Sequence, residues 1–286
     1  MQDDTKEWNP GRADFWVQFY DDEDGHLREK EQQHKKSREL AEGGSLMDHY
    51  EWFMEYPLYE KKLLAFLPQV PTARTTEKPM RWLHVGCGNS DFCDQVEGLL
   101  SDQLSVSASP PAEVLNVDIC ENIITHLARR FPWRLYAVGN CCDLHVTARS
   151  ASLSQERPAG EEPWFVLDNT LHVQMVRQSA VDVVFDKGTA DALLSAFAGE
   201  FNPNMEAYVG EMLKVLRPGG AMFVISINSE EVVNPYFLSA QDGDKSFQLV
   251  FTDVVELGAG GLRHLRVETL GSRYSCYGYT VVLPAD

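Results

Sequence analysis

The residues able to do chemistry gather at the ends of apolar runs. In HVGCGNS, residues 84–90, Gly86 and Gly88 flank Cys87, after an apolar stretch and before a helix-forming one. Glycines there let the backbone approach a ligand that a Cβ would exclude. A tight strand-to-helix turn is the blander use of the same pattern. Asp91 stands where the third glycine of a dinucleotide-binding loop would fall, which tilts the reading away from NAD.

Three acids end later apolar runs: Asp118 in NVDI, Asp143 in CCDL and Asp186 in VVFDKG. In a parallel sheet all C-terminal strand ends share one ligand-binding crevice, so these carboxylates are expected to converge with the glycine turn. Asp118 can accept hydrogen bonds from both hydroxyls of a ribose, or serve only as an N-cap for ENIITHL. Asp143 can accept from an adenine amine, or be an ordinary turn aspartate.

The elements that must position them alternate from Arg81 onward. RWLHV, EVLNVDI and RLYAVG read as strands separated by the helices DFCDQVEGLL and ENIITHLARRF. After a strand or hairpin in WFVLDNTLHVQMV come strand VDVVFDKG, helices TADALLSAF and NMEAYVGEMLKVL, a turn forced by RPGG, and strand AMFVISI. Alternation of this kind implies an α/β fold, a doubly wound, mostly parallel sheet with helices on both faces. FQLVFTDVVEL and YSCYGYTVVL alternate apolar and polar residues as an antiparallel C-terminal edge hairpin would.

Around this core, residues 148–163 lack an apolar period and read as a mobile inserted loop. Residues 1–80 form an N-terminal segment of charged runs and aromatics, with a helix over LYEKKLLAFL, ahead of a domain at 81–286.

A net charge of −18 disfavours a phosphate-tracking surface and suits a basic protein partner, so no nucleic acid is expected. The six cysteines show neither CxxC spacing nor a zinc-finger histidine pattern, so no metal and no disulfide framework are expected. No run approaches the roughly 18 apolar residues of a membrane span, and no secretory leader is evident. A soluble, cytoplasmic protein is the expectation.

Taken in order, HVGCGNS, NVDI, CCDL, VVFDKGTADALL and EMLKVLRPGGAMFVIS resemble the seven-stranded class I methyltransferases that use S-adenosyl-L-methionine. FDKGTADALL, with YEWF upstream and FWVQFY near the start, is similar to the eukaryotic lysine methyltransferases of elongation factor 1-alpha and their methyltransferase-like relatives. The similarity runs from residue 14 to about 227, the inserted loop excepted.

The resemblance implies a seven-stranded Rossmann-like sheet with S-adenosyl-L-methionine bound at its crevice. Gly86, Cys87 and Gly88 would lie under the methionine half of that cofactor. Asp118 and Ile119 would hold the ribose and adenine, Asp143 and Leu144 would close over the adenine, and Lys187 would stand at the pocket. Trp16, Tyr20 and Trp52 match N-terminal aromatic positions that fold over the cofactor. Their blander role is to pin the N-terminal segment to the core. The implied acceptor is a protein lysine, with elongation factor 1-alpha as partner. Asp186 and Asp191 are the candidates for orienting its amine, against a strand-end turn for Asp186 and helix-start electrostatics for Asp191. Ala190 replaces the family's usual Leu, and the stretch between FWVQFY and YEWF is longer than usual.

Overall fold

The computed structural model describes residues 14–18, 20, 60, 61, 63, 79–90, 92, 93, 95, 112–144, 163–195, 201–243, 250–260 and 274–282. Nine strands are described: β1 (Arg81–Val85), β2 (Glu113–Asp118), β3 (Leu135–Val138), β4 (Phe165–Leu167), β5 (Val173–Val176), β6 (Val181–Lys187), β7 (Leu216–Ser226), β8 (Val250–Gly260) and β9 (Tyr274–Val282). The helices are α1 (Glu121–Arg130), α2 (Thr189–Ser195), α3 (Pro203–Val215) and α4 (Glu230–Gly243). Residues 14–18 and 20 are also helical.

Seven strands form one sheet in the order β3-β2-β1-β6-β7-β9-β8. The first five are mutually parallel, and β9 and β8 add an antiparallel edge, as the sequence predicts. From β1 the chain winds outward to β2 and β3, then returns to place β6 on the other side of β1. That reversal opens a crevice at the carboxyl ends of β1 and β6.

The central strands are buried because the sheet is covered by helices. All seven residues of β6 are buried, and each large apolar side chain so placed contributes roughly 1.5–3 kcal/mol. Phe92, in the helical stretch after the glycine turn, stacks on Phe185 of β6 at 3.6 Å between ring centroids. This contact holds that stretch to the strand whose end borders the crevice.

WFVLDNTLHVQMV folds as a separate antiparallel pair, β4 and β5, and does not join the large sheet as a strand. It docks beside β3, where the Val138 amide donates to the Leu171 carbonyl at 2.8 Å. RPGG behaves differently from expectation too. α3 ends at Val215, and β7 runs through these residues with a register jump: Leu216 pairs Val181 whereas Ala221 pairs Val183. The turn-forming residues are accommodated as a bulge inside the strand.

Candidate functional site

The glycine turn leaves β1 at Gly86 and is held in place by neighbours on three sides. Gly86 and Gly88 have φ of 56° and 48°, values at which a side chain is strained. A Cβ on Gly86 would overlap Thr189 Oγ1, and one on Gly88 would stand 2.6 Å from Tyr20 Oη. The Cys87 amide donates to the Val117 carbonyl at 3.1 Å. Cys87 itself is buried, and burial raises its thiol pKa well above the ordinary value, so it lines the turn as a neutral group.

Asp118 ends β2 next to this turn. Its Oδ2 accepts from the Gly88 amide at 2.8 Å and its Oδ1 from the Cys120 amide at 2.9 Å. The N-cap of α1 is Cys120, which makes no side-chain capping bond, so the capping alternative for Asp118 does not hold. Burial raises the Asp118 pKa, and the amide donors oppose that rise. The Ile119 amide also lies against this carboxylate, which keeps lone-pair capacity for a further donor. Ile119 beside it is 38% exposed, an apolar face at the rim of the crevice.

The turn after β3 brings Asp143 to the surface, where its carboxylate has no donor among the described residues. Leu144 departs from expectation. It is fully buried in the main core, its amide donates to Glu211 Oε2 at 3.2 Å, and its side chain packs against Gly139. The apolar side chain is driven inward once its amide is tied to α3.

Asp186 is the second correction. It is completely buried at the end of β6. Oδ1 accepts from the Thr189 amide at 2.8 Å, and Oδ2 from the Ala190 amide at 3.1 Å and from Tyr208 Oη at 2.6 Å. Burial pushes its pKa to about 7. A carboxylate so enclosed fastens the start of α2 to the strand end, and does not reach an acceptor amine. The strand-end role is the one realised.

Asp191 differs. Oδ1 accepts from Ser226 Oγ at 2.8 Å, the Ile227 amide at 3.0 Å and Asn228 Nδ2 at 2.6 Å, while Oδ2 is buried with no hydrogen-bond partner among the described residues. Burial raises its pKa to about 6. Lys187 is buried at the end of β6 rather than lying on the surface.

Of the N-terminal aromatics, Tyr20 is buried among Cys87, Cys120, Ile123 and Tyr136, and Trp16 packs partly buried against the same cluster. Their rings lie 6.3 Å apart. Trp52 falls outside the described residues. The structure therefore gathers Gly86, Cys87, Gly88, Asp118, Ile119 and Tyr20 at one place.

Two residues escaped the sequence reading. Thr189 Oγ1 donates to the Val85 carbonyl at 3.0 Å and buttresses the glycine turn from the α2 side. Asn89 is buried in the turn with Oδ1 lacking a hydrogen-bond partner among the described residues. Its place inside HVGCGNS was the available signal.

Residues 83–224 match the family model described as a methyltransferase domain. No curated protein matches the chain in sequence. Among solved structures, the chain is similar to the N-methyltransferase NodS of Bradyrhizobium japonicum in complex with S-adenosyl-L-homocysteine, at 11% identity over 87% of this chain and 96% of that one, with a TM-score of 0.45. A TehB-like S-adenosylmethionine-dependent methyltransferase of Corynebacterium glutamicum is similar at 15% identity, covering 81% and 96%, with a TM-score of 0.40. A third, from Aquifex aeolicus, is similar at 14% identity, covering 87% and 97%, with a TM-score of 0.38.

The strand order, the glycine turn and the matched domain define a class I S-adenosyl-L-methionine-dependent methyltransferase. The residues present fit that cofactor. The positive-φ glycines hold the turn in a backbone conformation that side chains resist, Asn89 carries a buried oxygen with no hydrogen-bond partner among the described residues, and Asp118 offers an acceptor beside the apolar face of Ile119. Among the described residues no helix is long and apolar enough to cross a membrane.

Proposed function

We propose that this methyltransferase modifies a lysine side chain of a protein, with elongation factor 1-alpha or a similarly basic protein as acceptor in the cytoplasm. The observation that carries the reading is Tyr20 lying over Gly88. It ties FWVQFY, the segment on which the lysine-methyltransferase resemblance rests, to the glycine turn itself. A net charge of −18 adds long-range attraction for a basic partner.

When bound, S-adenosyl-L-methionine supplies an electrophilic methyl group on a sulfonium. The chain's own residues then align and desolvate. Asp118 holds the ribose hydroxyls, Ile119 and the exposed Asp143 meet the adenine, and Gly86 through Gly88 admit the methionine end. Tyr20 and Trp16 screen the pocket from water. An acceptor lysine, with a reference pKa of about 10.4, must arrive unprotonated, which desolvation promotes. Asp191 Oδ2, which has no hydrogen-bond partner among the described residues, is assigned to orient that amine.

The test is methyl transfer from labelled S-adenosyl-L-methionine to purified elongation factor 1-alpha, with lysine-to-arginine variants of the labelled sites. Label on one lysine, absent from its variant, supports the reading. Transfer to small amines with none to protein would replace it with a small-molecule methyltransferase.

A further inference from the structure

Cys141 and Cys142 follow one another in the turn that joins β3 to Asp143, and both are partly exposed, while Cys87, Cys93 and Cys120 are buried. The Cys142 thiol donates to the Asn204 carbonyl, in the first turn of α3, at 3.3 Å. The turn that carries them is tied to β2, because the Gly139 amide donates to the Asp118 carbonyl at 2.9 Å, which places the pair beside the crevice at the end of β2. We propose that Cys141 and Cys142 are a modification site, closing to a reversible vicinal disulfide with peroxide and thereby weakening cofactor binding. The second half of this proposal rests on the cofactor-site assignment above.

Cys142 is the attacking sulfur. Cys141 beside it lowers its pKa, whereas its neighbour and burial raise that of Cys141. The Cys142 thiolate attacks hydrogen peroxide: an S–O bond forms, the O–O bond breaks and hydroxide leaves. Cys141 Sγ then attacks the sulfenic sulfur, forming the S–S bond as its proton and the hydroxyl depart as water. The two thiols lose two electrons and the peroxide is reduced to two waters.

The closed ring bears on Asp143 through the turn. Neighbouring Cα atoms lie about 3.8 Å apart, below the roughly 4.4–6.8 Å of an ordinary disulfide. Closing the ring therefore strains the turn and leaves a bond that thiols reduce readily, as suits a reversible mark. It also requires Cys142 to leave the Asn204 carbonyl and disturbs the bond from its amide to Asn140 Oδ1 at 3.0 Å. The next bond along, from the Asp143 amide to the Asn140 carbonyl at 2.9 Å, fixes the residue assigned to the adenine.

The full chain is treated with hydrogen peroxide, alkylated and mapped by peptide mass, with S-adenosyl-L-homocysteine affinity measured before treatment, after it, and after dithiothreitol. The expected result is a Cys141–Cys142 disulfide and an affinity at least about tenfold weaker, both reversed by the reductant. Cys141→Ser and Cys142→Ser, each compared with its own untreated sample, keep their affinity through peroxide. Sulfinic acid at either residue in place of the disulfide, or a disulfide with unchanged affinity, overturns the proposal. A reduced chain that forms the disulfide yet binds no cofactor supports the modification site and overturns the cofactor assignment, so the two failures are told apart.

Discussion

Thr189 occupies the space that a Cβ on Gly86 would need, and its Oγ1 donates to the Val85 carbonyl at 3.0 Å. The start of α2 thus buttresses the turn after β1, although the two lie about a hundred residues apart in sequence. Asp186 fixes that buttress by accepting from the Thr189 and Ala190 amides. The DKGT stretch therefore supports the glycine turn from behind.

Gly86→Ala is expected to abolish cofactor binding. It places a side chain at φ 56°, at a cost of about 1–2 kcal/mol, and drives it into Thr189. Thr189→Val keeps the shape and loses the hydrogen bond, so it should weaken cofactor affinity several-fold and cost roughly 0.5–1.5 kcal/mol of stability. Calorimetry and thermal melting of the two variants check this ordering. A Gly86→Ala chain with normal affinity would remove the glycine turn from the site.

Tyr20→Ala should weaken S-adenosyl-L-homocysteine about tenfold or more, because the side chain over Gly88 is lost and water enters. Tyr20→Phe keeps the ring and should bind within a few-fold of the parent. Equal affinities in all three chains would leave Tyr20 with packing alone.

Asp191→Asn should lower kcat by about 10–100-fold with little change in cofactor affinity, the pattern for a group that orients the acceptor. Single-turnover methyl transfer beside calorimetry separates the two. A fall in affinity with kcat intact would make Asp191 a purely structural tie to Ser226 and Asn228.

Stability should fall as the pH rises. The folded pKa of Asp186 is about 7 and that of Asp191 about 6, against about 3.9 for an unfolded aspartate. Between those values the native state binds more protons, so the contribution is full below about pH 4 and lost as pH climbs through the folded pKa. The slope is at most about 1.4 kcal/mol per pH unit for each group. Asp186→Asn removes its share and should flatten the decline of Tm between pH 5 and 8. A variant slope equal to the parent's would contradict the raised pKa.

Much of the fold was legible because local pattern and final structure agree. Strands such as RWLHV and VDVVFDKG are buried on both faces and carry near-continuous apolar runs, and the turn glycines have no substitute at positive φ. The place of Asp118 was legible too, at a strand end beside the glycine turn. It was not legible where partners come from afar. Asp186 looks available in sequence, yet Tyr208 and the α2 amides enclose it. Leu144 looks like a cover for a ring, yet Glu211 of α3 takes its amide and turns the side chain into the core. The bulge at RPGG likewise depends on pairing with β6, which no local propensity encodes.

The most direct test of the account is calorimetric titration of the full chain with S-adenosyl-L-methionine and with NAD, repeated on Asp118→Ala. The expected result is micromolar binding of S-adenosyl-L-methionine alone, weakened at least about a hundredfold in the variant, since the carboxylate that accepts the Gly88 amide at 2.8 Å is the one proposed to take the ribose. Binding of NAD in its place, or S-adenosyl-L-methionine bound equally well by Asp118→Ala, would contradict it.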